Sequence, residues 1–105
     1  MHTSQMNHIQ SILNDVYNER VRQNRLKLQG RFKYTPNEVP LVRSHAMLSE
    51  ECGEVARAAL AVSGYVQEDL TLDDCRKELI QVAAIAIAMV QGIDEGDSAV
   101  LLAPA

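Results

Sequence analysis

Aromatic residues are scarce in this sequence. They make up 4% of it, as three Tyr, one Phe and no Trp. A surface that stacks bases needs interleaved aromatic rings, so a single-strand nucleic-acid platform is excluded. Positive charge is also short: ten Lys and Arg stand against fourteen Asp and Glu, a formal net charge of −4. That excludes a basic face gripping DNA or RNA. Five Gly and three Pro in 105 residues are too few for the many tight turns of an all-β domain. No apolar run is long. The longest, Val82 to Val90, spans nine residues, where a membrane-crossing helix needs about 20. The first fifteen residues carry neither a signal-peptide core nor a basic leader, and the expected compartment is the cytoplasm. There are two cysteines, Cys52 and Cys75. A reducing cytosol disfavours their pairing, and with His45 they lack the close spacing of a zinc site. Both are expected to be buried structural cysteines, and His45 a core histidine.

What remains is the material of helices. The length fits one domain over residues 1–105. A first helix is expected from about Ser4 to Gln29, with Met6, Ile9, Leu13, Val16 and Tyr17 at helical spacing, a polar second half and Gly30 as its stop. Residues 30–40 form a connector in which Pro36 and Pro40 discourage helix. A second helix follows from Leu41 to Val62. Its apolar stripe is Leu41, His45, Leu48, Cys52, Val55, Ala59 and Val62, in alternating steps of four and three. Ser63-Gly64 ends it. Thr71 with Asp74 opens a third helix as a capping-box pair. That helix is expected to reach Gln91, with Gly92 just past its end. The tail from Ile93 is either a short fourth helix or a partly ordered arm.

The fold class is therefore all-α, an antiparallel helical bundle. From Val82 to Val90 the third helix is apolar on every side, and two further helices of one small chain cover it poorly. The bundle is expected to be completed by homo-oligomerisation, with this helix at its centre.

The acids are placed unevenly. Glu50, Glu51 and Glu54 lie on the second helix; Glu78 lies on the third, with Gln81 three residues later. Residues at i and i+3 share a helix face. Glu51 with Glu54, and Glu78 with Gln81, can thus present oxygen ligands from facing helices to one hard cation such as Mg²⁺. Like charges at this spacing repel, a cost easily met by a solvated face and met beside an apolar stripe only for a reason.

These residues resemble a known family. Glu50-Glu51-Cys52-Gly53-Glu54, then Glu78-Leu79-Ile80-Gln81, resembles the EExxE…ExxD signature of the MazG-like all-α nucleoside triphosphate pyrophosphohydrolases. The 23 residues between Glu54 and Glu78 suit the family's spacing. LSEECGEVARAAL, KELIQVAAIAIAMV and the ERxxQ pattern of Glu19, Arg20 and Gln23 resemble the helices of short phage and bacterial members, and the likeness covers about residues 5–92. It implies a Mg²⁺-dependent (or Mn²⁺-dependent) hydrolysis of nucleoside triphosphates to monophosphate and pyrophosphate, by a homodimer or dimer of dimers. By the same resemblance Glu51, Glu54 and Glu78 are metal ligands, Glu50 orients or deprotonates water, and Gln81 is a weak ligand or water-holder where the family usually has Asp. Arg20, Lys33 and Arg43 are candidates for meeting phosphates and Gln23 for reading a base edge; a solvated surface role competes for each. The alternatives are a non-catalytic MazG-like helical dimer that binds a nucleotide or protein partner, and a purely structural bundle whose glutamates face water.

Overall fold

The computed structural model describes residues 1–31 and 34–104, which form four α-helices and one 3₁₀ turn, with no strand among them. The helices are α1 (Thr3–Leu28), α2 (Leu41–Val62), α3 (Leu72–Glu95) and a single-turn α4 (Ser98–Leu101); the 3₁₀ turn is Pro36–Glu38. The tail therefore resolves as a short helix. The stop signals act as their chemistry dictates. Gly30 and Gly64 take positive φ, 73° and 82°. Each sits past a helix end where the next N–H reaches back five residues, Arg31 to Leu26 and Tyr65 to Leu60, which satisfies carbonyls that α1 and α2 would leave unpaired. At the head of α3, the Thr71 hydroxyl accepts from the Asp74 N–H and the Asp74 carboxylate accepts from the Thr71 N–H at 2.8 Å, as the sequence predicts.

Helix α3 is the spine. Both α1 and α2 pack on it, while α1 and α2 scarcely touch each other. Cross-links give the directions. Arg57 of α2 meets Glu68 at the start side of α3, whereas Gly92 near the far end of α3 lies under Asn37, just before α2 begins. Helices α2 and α3 are thus antiparallel. Asp15 pairs with Arg76 and Arg20 with Gln91, so α1 runs with α3, up-down-up. The core is thin and its residues small: Val16, Leu26, Val39, Ala58, Ala61, Ala84, Ile85 and Ala88. Small residues let α2 and α3 approach closely, but each buried CH₂ contributes only about 0.8 kcal/mol.

Three expectations are corrected. The α2 face on α3 is rotated from the expected stripe. It centres on Ser44, Glu51, Ala58 and Ala61, flanked by Leu48 and Val55, while His45, Cys52 and Ala59 are exposed. Both stripes obey the same alternation, and small residues around most of α2 left either face available. His45 is consequently not a core histidine, and Cys52 is an exposed free thiol; Cys75 is half-buried and also free. In α1 the polar second half packs, through Arg20, Gln23 and Leu26, whereas Met6, Ile9, Leu13 and Tyr17 face outward. Finally, α3 continues through Gly92 to Glu95. Gly92 is there for space: a Cβ would stand 3.1 Å from the Asn37 carbonyl oxygen, so the missing side chain lets the 3₁₀ turn lie on α3.

Candidate functional site

Because α1 and α2 diverge over α3, a cleft opens between them. It has a volume of about 480 Å³. Helix α1 supplies Glu19, Arg22 and Gln23, the connector Arg31, Tyr34, Thr35, Pro36 and Val39, α2 Arg43, Met47 and Glu51, and the α3 floor Gln81 and Ile85. The connector is held to α1 by the Lys27–Glu38 ion pair. The rotation of α2 is what brings Glu51 here. It occupies the helix interface that the expected stripe would have given to Cys52.

Glu51 meets Glu78 of α3 in a hydrogen bond between the two carboxyl groups. Gln81, one turn along α3, joins them. With its NH₂ turned toward the acids, its nitrogen lies 3.1 Å from Glu51 Oε2 and 3.1 Å from Glu78 Oε2; the opposite orientation would set its oxygen against acceptors only. The Glu51 carboxyl titrates at about 7, far above the ordinary 4.5. Burial is the first cause, then the hydrogen bond with Glu78, then the negative charges of Glu78, Glu54 and Glu50. Glu51 thus keeps its proton to about pH 7 because helix packing buries it against a second carboxyl group.

Not every sequence candidate converges. Glu54 is half-exposed and turned to Arg57, 3.2 Å away. Glu50 is exposed on α2, close enough to act electrostatically on Glu51. No group of three or more His, Cys, Asp or Glu side chains gathers on one point among the described residues. The site is two acids and an amide, with Gln81 as donor between them rather than a third anionic ligand. Arg20 does not reach the cleft. It is 7% exposed, and burial lowers its pKa despite the attraction of Glu38. Its guanidinium donates to Gln91 Oε1 from Nε (3.0 Å) and Nη2 (2.8 Å), and to Gln23 Oε1 from Nη1 (3.1 Å). Gln23 and Arg43 do line the cleft, Arg43 lying 5.4 Å from the centre of the Tyr34 ring. Lys33 lies outside the described residues.

Sequence reasoning missed Arg22, Arg31 and Tyr34. Arg22 is neutralised by Glu19 at 2.9 Å, and that hydrogen bond raises its pKa. Arg31 and Arg43 form no ion pair among the described residues, so the cleft carries two guanidinium groups without a carboxylate partner there, beside Glu51. The signal for Arg31 and Tyr34 was present in the connector, GRFKY, a basic and aromatic cluster in a chain poor in both. Comparison with protein-family models, with curated proteins and with solved structures gives no match for this chain.

Proposed function

We propose that this chain is a Mg²⁺-dependent nucleoside triphosphate pyrophosphohydrolase of MazG-like type, converting an NTP or dNTP to the monophosphate and pyrophosphate, and working as a homodimer or dimer of dimers. One observation carries the reading: Glu51, whose carboxyl meets Glu78 behind it, lines a cleft that also presents Arg31, Arg43 and Tyr34. The donor set suits the ion. Mg²⁺ is commonly held by one or two carboxylates, with water and substrate phosphates completing its octahedron. A carboxyl group beside a second one that keeps its proton to about pH 7, as Glu51 does, is a place where a divalent cation can take that proton's part.

Glu51 and Glu78 hold the ion, and Glu54 adds negative charge from the next turn of α2. When bound, the ion neutralises phosphate charge and acidifies water. Arg31 and Arg43 pair with phosphate oxygens, as planar guanidinium groups do well. Glu50 orients the attacking water or accepts its proton. Gln81 holds the two carboxylates in register and, with its amide reversed, offers a neutral oxygen to the ion. The base lies against Tyr34 and the apolar lining of Pro36, Val39 and Met47.

A second reading is favoured by Gln81 itself. An amide in place of the family's Asp, with Glu54 turned to Arg57, gives a weaker cation site, suited to a dimer that binds nucleotide without turnover. A panel of NTPs and dNTPs with Mg²⁺ or Mn²⁺, followed by pyrophosphate release, separates the two. Turnover that falls at least 100-fold in Glu78→Gln supports the enzyme. Nucleotide-dependent thermal stabilisation without pyrophosphate supports the binding dimer, and neither effect would refute both.

A further inference from the structure

Gln23 borders the cleft with little freedom. It is 8% exposed, and its amide has only one way to face. Arginine has donors and no acceptor, so the Gln23 atom that meets Arg20 Nη1 at 3.1 Å is Oε1. Arg20 is itself fixed, since Gln91 Oε1 on α3 accepts from both its Nε and its Nη2. The chain Gln91–Arg20–Gln23 thus runs from α3 into α1, and every group in it is oriented by the next. It leaves the Gln23 NH₂ as the free end. That nitrogen has no hydrogen bond among the described residues, yet no fully enclosed side-chain nitrogen or oxygen there lacks a partner. The nitrogen is therefore open, and Gln23 lines the cleft.

We infer that Gln23 is the base-reading residue of this site and selects a nucleobase carrying an oxo group over one carrying an exocyclic amine. This rests on the nucleotide reading above. The reason is chemical. The phosphates are anions and are matched by Arg31 and Arg43, whereas a neutral, fixed donor matches a neutral acceptor. An amine presented to Gln23 sets donor against donor and leaves both unpaired. A site that must bury an unpaired polar group rejects that ligand strongly. Arg20 and Gln91 are positioning residues: they touch no substrate and hold the donor still. Apolar and stacking contacts do not distinguish an oxo group from an amine, so selection falls to the edge.

The test uses the full chain with Mg²⁺ and the α,β-imido analogues of two nucleotide pairs that differ at this edge, inosine against adenosine and uridine against cytidine triphosphate, by calorimetry. The oxo member of at least one pair is expected to bind about tenfold more tightly. Gln23→Glu, whose carboxylate still pairs with Arg20 and turns an acceptor to the cleft, is expected to invert that preference. Gln91→Leu frees Arg20 and is expected to bring the ratio near one while the triphosphate contacts persist, an outcome that general destabilisation would not mimic. Tight but equal binding of both members, or an unchanged preference in Gln23→Glu, overturns the role of Gln23 and leaves the nucleotide site standing. Failure to bind any of the four overturns both.

Discussion

At the scale of the residue, Glu51 shows how packing makes chemistry. A carboxylate on the face that α2 turns to α3 loses water, meets Glu78, and keeps its proton to about pH 7. The folded protein then binds that proton more tightly than the unfolded chain does. The stabilisation is complete below the ordinary 4.5 and is lost as pH rises to about 7. Thermal melts without divalent cations are accordingly expected to fall between pH 5 and 7.5, a slope that Glu51→Gln flattens. At pH 8 the same variant is expected to melt higher than the parent by ~4–8 °C, corresponding to about 1 kcal/mol of relieved repulsion. The Glu38 carboxyl, held low by its hydrogen bond to Lys27, works in the opposite sense and only at lower pH, which is why the window begins at 5. The acids of this site were legible as i, i+3 pairs. Of the cleft arginines Arg43 was a candidate from the sequence, whereas Arg31 and Arg22 were not, because Arg31 lies in a connector with no periodicity to place it and Arg22 is neutralised by a neighbour three residues away. Nor did spacing reveal that Glu54 would turn to Arg57, since a one-turn pair fixes the face of a helix and leaves the rotamer free.

At the scale of the element, the helices were readable and their faces were not. Caps and stops at Thr71, Gly30 and Gly64 are local chemistry, and the chain obeys them. Which side of α2 turns inward is decided by a contest between two stripes of small residues, and the winner carries Glu51. In α1 the more hydrophobic half lies outside and the charged half inside, because Arg20 bonds Gln91 on α3 and Gln23 bonds Arg20, while Met6, Ile9 and Leu13 stay exposed. Gly92 reads as a helix stop by type and acts as a helix interior by packing. Gly92→Ala is expected to lower stability by about 1–3 kcal/mol through the clash with the Asn37 carbonyl, measured by urea denaturation. Gly30→Ala, where a Cβ meets open space but φ is positive, is expected to cost about 1 kcal/mol through backbone strain alone.

At the scale of the whole molecule, the chain is larger than it should be alone. Its accessible surface is 7394 Å², where a compact monomer of 11.6 kDa exposes about 5,800 Å². Its radius of gyration is 15.7 Å, against about 13 Å for such a domain. The surplus has a location. On α3, Leu72, Leu79, Ala86 and Ile93 are all exposed at steps of seven, with Val90 between the last two, and the outer half of α1 adds Met6, Ile9 and Leu13. A surplus of roughly 1,500 Å² per chain exceeds what each partner buries in a standard interface, about 800 Å², and this supports the homo-oligomer. Light scattering on the purified protein is expected to give a dimer or tetramer, and Leu79→Glu with Ile93→Glu a smaller species of lower thermal stability. No helix among the described residues is long and apolar enough to cross a membrane. The proposed function depends on a cation held between Glu51 and Glu78. Calorimetric titration of Mn²⁺ into the protein at pH 8 tests it most directly. Saturable binding that is lost in Glu51→Gln and strengthened in Gln81→Asp is the predicted result; no binding to the parent, or binding indifferent to both substitutions, would contradict it.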